Sequence, residues 1–248
     1  MSASGEDPIR HRQLAEALAA LRNRIDAACA RVGRAPDEVR LLTVTKTFPA
    51  RDVVHLLDLG VTDLAENREQ EAAPKAVALA EARPYHPARW HMVGRLQRNK
   101  ARSVLRWADE VQSVDSDRLA DALARAVRAA IDRGEREGPL DVLVQASLDA
   151  DPTRGGCPPE DLPRLADHVA RSDELRFRGL MTVVPRGANP ADGFREFADL
   201  AAKMREDHPE ATELSSGMSG DLEQAIAHGS TCVRVGTALL GHRPLASP

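Results

Sequence analysis

The sequence predicts a single (β/α)8 barrel of the TIM type, preceded by an N-terminal helix. Three observations carry this: strand-like and helix-like segments alternate along nearly the whole chain, eight strand-like segments can be counted, and no linker divides them. The opening helix is marked by Leu14, Leu18, Leu21, Ile25 and Ala28 at helical spacing, with Gly33 as its C-terminal punctuation. Strands are expected near 39–46, 62–65, 89–93, 110–115, 140–148, 176–184, 212–215 and 231–236. Helical stretches at 50–59, 68–83, 97–107, 117–133, 160–171, 190–206 and 220–228 separate them, each long enough for a parallel crossover. The competing architecture is an open doubly wound sheet, which normally carries a glycine fingerprint after its first strand. Here that turn reads Lys46-Thr47-Phe48-Pro49. The polar loop from Asp149 to Pro159 contains Gly155-Gly156, but regular patterning resumes at once, so residues 1–248 read as one domain with 1–12 flexible.

Composition excludes several classes of function. With 248 residues and 42% hydrophobic content the chain can bury a substantial core, built mainly from Ala, Leu and Val. Four Phe, two Trp and one Tyr leave few platforms for stacking bases, and a net charge of -4 argues against nucleic-acid binding. The stretch Arg95 to Arg106 is at most a local basic patch. No apolar run approaches membrane-spanning length, and the polar N-terminus does not read as a signal peptide, so a cytoplasmic protein without membrane contact is expected. Cys29, Cys157 and Cys232 are odd in number and far apart, which suggests buried or free thiols rather than disulfides or zinc ligands. The histidines His11, His55, His86, His168, His208, His228 and His242 show no metal-ligand spacing.

Lys46 closes the apolar run Leu41-Leu42-Thr43-Val44-Thr45 and is one of only four lysines among 34 basic residues. Among cationic side chains lysine can lose its proton and form a Schiff base, whereas a surface lysine ending a strand is the competing reading. In a barrel, strand C-termini share the mouth where active sites lie, which selects Lys46, Asn67, His91 and the step Arg234-Val235-Gly236-Thr237. Between strands seven and eight lies Ser215-Ser216-Gly217-Met218-Ser219-Gly220-Asp221, a turn that suits an anion and equally a helix cap. Barrels often bind phosphate with the loops after strands seven and eight, and strand eight closes against strand one. A lysine amine beside such a cradle suits a phosphorylated aldehyde, of which pyridoxal phosphate is the commonest cofactor.

Several stretches resemble the YggS/PROSC family of pyridoxal-phosphate-binding proteins over almost the whole chain. They are Leu42 to Thr47, Glu66-Asn67 with Gln70-Glu71, Trp90 to Lys100, Arg178 to Met181, Leu214 to Ser219 with Asp221, and Val233 to Ala238 with Gly241. The stretch Arg178 to Met181 is also similar to alanine racemases, whose barrel the family shares. The resemblance implies that Lys46 forms the internal aldimine, that Arg234 faces the pyridine nitrogen, and that Ser215, Ser219, Gly236 and Thr237 hold the phosphate. It implies that Asn67 and His91 line the cofactor pocket. Ala65 departs from the family's glycine before Glu-Asn, and Thr153 to Cys157 follows the family's lysine-rich loop only loosely.

An arginine opposite the ring nitrogen disfavours its protonation and weakens the cofactor as an electron sink. A racemase of this barrel type takes a tyrosine from an extra β-domain, whereas the single tyrosine here, Tyr85, precedes strand three. The expected function is therefore intracellular pyridoxal phosphate and amino-acid homeostasis without turnover, by a monomer whose partners are the cofactor and the apoenzymes that receive it. A minimal racemase using Lys46 with a water or His91, and a class I aldolase, are the alternatives. Asp115 and Asp149 receive no assignment.

Overall fold

The computed structural model describes residues 8–85, 88–149, 151, 154–185 and 187–241. Residues 1–7, His86, Thr153 and His242 lie outside the described residues, while 8–12, expected to be flexible, form the first turns of a helix. That helix, α1 (Pro8–Arg31), precedes eight strands. They are β1 (Arg40–Val44), β2 (Asp63–Glu66), β3 (Arg89–Met92), β4 (Glu110–Val114), β5 (Leu140–Ala146), β6 (Leu175–Thr182), β7 (Glu213–Ser215) and β8 (Cys232–Val235). The helices between them are α2 (Ala50–Asp58), α3 (Glu69–Ala82), α4 (Ala101–Val104), α5 (Asp117–Asp132), α6 (Leu162–Ala170), α7 (Pro190–Asp207) and α8 (Leu222–Ala227). A last turn, α9 (Thr237–Leu240), follows β8 and was not expected from the sequence.

All neighbouring strands are parallel, and β8 pairs with β1 to close the barrel, with Leu42 opposite Arg234. The main core lies between the strands and the helices. Leu56 and Leu57 of α2, Leu119, Leu123 and Val127 of α5, and Leu165 and Val169 of α6 are buried on the faces their spacing marks out. The α1 stripe Leu14, Leu18, Leu21, Ile25 and Ala28 is buried as expected. The expected helix 97–107 shrinks to a 3₁₀ turn at Arg98–Lys100 and the short α4, with 105–107 as a turn.

The barrel interior is unlike the usual filling of branched aliphatic residues. A small apolar cluster of Leu42, Val44, Ala65 and Cys232 sits there, and Ala65 fills space that a glycine would leave open. The rest is ionic and hydrogen-bonded. Arg40 of β1 reaches across to Glu213 of β7 at 2.7 Å and to Asp63 of β2 at 3.4 Å. Arg89 of β3 bridges Glu110 and Asp141 at 2.8 and 2.6 Å. These charges come from the first or second residues of their strands, so they plug the end of the barrel opposite the mouth.

Candidate functional site at the barrel mouth

Lys46 lies two residues beyond the end of β1, exposed on a turn rather than in the strand itself. The turn is closed by Phe48 N–H donating to the Thr45 carbonyl at 3.1 Å, with Thr47 in the left-handed region at φ 68°. A β-branched residue rarely adopts that conformation, so the turn is held by its surroundings. Thr45 is fully buried and fixed on three sides. Its N–H donates to Ala65 O at 2.9 Å, its hydroxyl donates to Glu66 Oε1 at 2.6 Å, and its carbonyl accepts from Lys75 Nζ at 2.8 Å. Lys75 is also ion-paired to the buried Glu66. The second lysine near the mouth is therefore consumed, and Lys46 is the amine left facing outward.

The neighbouring strands complete the rim. Asn67 follows β2 directly beside the Lys46 turn, and the loop after β3 passes over it so closely that a Cβ on Gly94 would lie 2.1 Å from Asn67 O. On the other side, a Cβ on Gly236 would sit 3.0 Å from Val44 O, which places the β8 exit against the last residue of β1. The loops after β7 and β8 are joined where Ala238 N–H donates to Ser219 Oγ at 3.3 Å. Ser219 is thereby joined to the Gly236-Thr237 step, whose start abuts the end of β1 two residues before Lys46, and together they make one edge of the mouth.

Arg234 is buried below this edge. Its Nη1 donates to Ser215 Oγ at 2.7 Å and its Nη2 to Thr182 O at 2.6 Å, both neutral acceptors. Burial pushes its pKa down, yet a guanidinium stays charged at neutral pH. A buried cation without a carboxylate in contact is costly unless something else offsets it, which is consistent with a ligand group above it.

The structure buries two of the expected site residues inside the barrel. Ser215, expected at the phosphate, is fully buried inside the barrel, where its hydroxyl donates to Gln112 Oε1 at 2.7 Å while accepting from Arg234. Gln112 then donates to Glu110 Oε1 at 2.7 Å. His91, expected to line the pocket, is also inside: Nδ1 meets Glu110 at 3.1 Å and Nε2 meets Asp63 at 3.0 Å. The reason is register. His91 lies level with Glu110, the first residue of β4, so its ring joins the ionic plug rather than the mouth. Burial opposes charge on His91, but its bonds to Asp63 and Glu110 outweigh this and raise its pKa. Burial likewise works against the Asp63 and Glu110 carboxylates, and the His91 bonds and Arg40 hold both below the usual range.

The structure thus brings together Lys46, Asn67, Ser219, Gly236 and Thr237 at the rim with Arg234 beneath. Sequence reasoning met Thr45 and Glu66 only as parts of motifs, without a role, and missed Lys75 and Gln112. Lys75 carried a usable signal, since lysine is as scarce at 75 as at 46. Tyr85 is 98% exposed, in the turn before β3. The three cysteines are buried and free, and no group able to hold a metal ion is found among the described residues. No described helix is long and apolar enough to cross a membrane.

Residues 17–244 match the family model of the alanine racemase N-terminal domain, so the class is that of this barrel. Alanine racemase from Corynebacterium glutamicum superposes with a TM-score of 0.67 at 12% identity, covering 96% of this chain and 62% of that one, a likeness of fold alone. The pyridoxal phosphate homeostasis protein of Corynebacterium glutamicum is 47% identical over 224 residues, 90% of this chain and 99% of its own length. That of Mycobacterium tuberculosis is 47% identical over 250 aligned residues, 97% of each chain. PipY of Synechococcus elongatus, solved with pyridoxal phosphate bound, has a TM-score of 0.77 at 33% identity, over 92% of this chain and 100% of that one. The chain belongs to the pyridoxal phosphate homeostasis protein family.

Proposed function

We propose that this chain binds pyridoxal phosphate as a Schiff base on Lys46 and serves vitamin B6 and amino-acid balance by holding and delivering the cofactor, without turnover. The observation that supports this most is the pinned turn: an exposed lysine fixed through Thr45, Glu66 and Lys75 beside a polar edge built from the loops after β7 and β8. When bound, pyridoxal phosphate supplies an aldehyde that condenses with an amine and a ring that can draw off electrons. Lys46 offers the amine. Ser219, Gly236 and Thr237 suit the phosphate, and Asn67 borders the ring on the β2 side.

Arg234 suits the ring nitrogen, and its fixed positive charge disfavours a proton there, which weakens carbanion chemistry. Ser215 serves by holding Nη1 of Arg234 in place. Both nitrogens of His91 are engaged by carboxylates, so it offers no base to a substrate carbon. The protein is proposed to act as a cytoplasmic monomer whose recipients are apoenzymes that need the cofactor.

The test is an absorption spectrum of the purified protein before and after borohydride, with peptide mass mapping, followed by incubation with L- and D-amino acids. A band lost on reduction, a pyridoxyl group on Lys46 and no multiple turnovers are expected. A protein that stays colourless and unmodified after the cofactor is added rules out the binding reading; sustained racemisation, decarboxylation or transamination rules out the absence of turnover.

A further inference from the structure

The stretch Arg95 to Lys100 contributes nothing to the polar edge beside Lys46, yet it forms one wall of a cavity of about 1150 Å³. The opposite wall is α5, through Arg118, Leu119, Ala122 and Arg125, and the inner end reaches Asn67 and Met92 at the barrel mouth. Six cationic side chains line this groove against two carboxylates, Glu69 and Asp115, in a chain whose net charge is -4. Lys100 is paired with Glu69, and Arg68 with Glu71. Among the described residues, no ion pair is formed by Arg98, Arg118 or Arg125, and all three are exposed.

The shape of this charge selects the ligand. Arg118 and Arg125 are seven residues apart on one helix face, about 10 Å along its axis, and Arg98 stands on the facing wall. Such spacing suits several anionic groups along an extended chain better than a single phosphate. No aromatic side chain lines the groove, so nothing there stacks a base. Instead Gln70, Gln97 and Asn99 offer amide donors and acceptors suited to a peptide backbone, and Leu96 and Leu119 give an apolar floor. Guanidinium groups bind carboxylates in bidentate fashion, and clusters of arginine recur where acidic motifs are read.

We propose that this groove binds an extended acidic segment of a protein partner, which it seats beside the barrel mouth. The site goes beyond the cofactor reading, since none of its three free guanidinium groups lies among the residues assigned to the cofactor.

The experiment is fluorescence anisotropy with a labelled oligo-glutamate peptide containing spaced leucines, at low and at physiological salt. A labelled single-stranded DNA of equal charge is the comparison. The peptide is expected to bind the wild type more tightly than the DNA. Charge reversal by Arg98→Glu, Arg118→Glu and Arg125→Glu together is expected to weaken it about tenfold or more. The same number of reversals on the exposed face of α1, Arg12→Glu, Arg22→Glu and Arg31→Glu, leaves it unchanged. Lack of peptide binding at low salt, equal loss in the α1 variant, or tighter DNA binding each overturns the proposal. Should the triple variant fail to fold, Arg118→Ala and Arg125→Ala singly read the same loss in smaller steps. Repeating the titration with Lys46→Ala separates the two readings, because peptide binding persists there whether or not the cofactor assignment holds.

Discussion

The ammonium of Lys75 donates to the carbonyl oxygen of Thr45 at 2.8 Å, so a helix residue far along the chain fixes the residue just before Lys46. The same ammonium neutralises Glu66, whose carboxylate is fully buried and whose Oε2 has no partner. Replacing Lys75 by Met strands that carboxylate, and breaking a buried pair from one side costs about 3–5 kcal/mol. Urea unfolding of Lys75→Met is expected to show a loss of this order, with weaker cofactor binding because the turn loosens. Lys75→Met combined with Glu66→Gln is expected to recover most of the stability, since the unpaired charge is gone. Equal losses in the single and double variants would show that the pair does not act as a unit.

Arg234 and Ser215 make a second such pair. If Ser215 positions the guanidinium, Ser215→Ala leaves Arg234 Nη1 and Gln112 Oε1 unpartnered and costs about 1–3 kcal/mol. Its effect on binding of inorganic phosphate at the mouth is expected to be small. Ser219→Ala behaves in the opposite way: stability is nearly unchanged and phosphate binding falls. Isothermal titration with inorganic phosphate, beside urea midpoints, separates the two, and a Ser215→Ala variant that loses phosphate with no loss of stability returns Ser215 to the phosphate.

The contrast between Ser215 and Ser219 shows where the sequence stops being legible. The alternation of strands and helices and the stripe of α1 follow from local periodicity and punctuation, and both appear in the structure, whereas Lys46 lies on a turn two residues past the strand expected to end at it. Which face of a strand a polar residue takes is set by parity and barrel stagger. One residue of register turns a side chain from the barrel interior to the helix-packed face, and stagger sets how deep along the barrel an inward side chain lies. His91 and Ser215 stand near strand ends in the chain, but stagger sets His91 level with the start of β4, and Ser215 bonds across to β4. Lys75 was missed for a different reason: its partners Glu66 and Thr45 are brought to it by the packing of α3 on the barrel, which no local pattern encodes.

Thr47 tests how much rigidity the site needs. A left-handed φ of 68° costs a β-branched residue about 1–3 kcal/mol, and glycine adopts it freely. Thr47→Gly is therefore expected to hold or raise the thermal midpoint despite the added freedom of its unfolded chain. If the strained turn is what presents Lys46, the same change increases the rate at which cofactor leaves, followed by trapping the released aldehyde. Unchanged release alongside a raised midpoint would show that the strain is incidental to holding the cofactor.

The ionic plug at the far end of the barrel predicts a stability profile with two limbs. Glu110 and Asp63 have lowered pKa values when folded, so they bind protons more readily when unfolded. Their contribution is present above the ordinary carboxylate range, about pH 4, and is lost as pH falls through the folded values. His91 is shifted upward, so its contribution is complete below its ordinary value of about 6.5 and fades as pH rises through its higher folded value. Urea midpoints are expected to be highest between these limits. In His91→Gln the alkaline limb disappears, because the group that releases its proton there is gone, while the acid limb persists in weakened form because Arg40 still faces Glu110 at 3.6 Å and Asp63 at 3.4 Å. An alkaline limb that survives this substitution would assign the titration to another group.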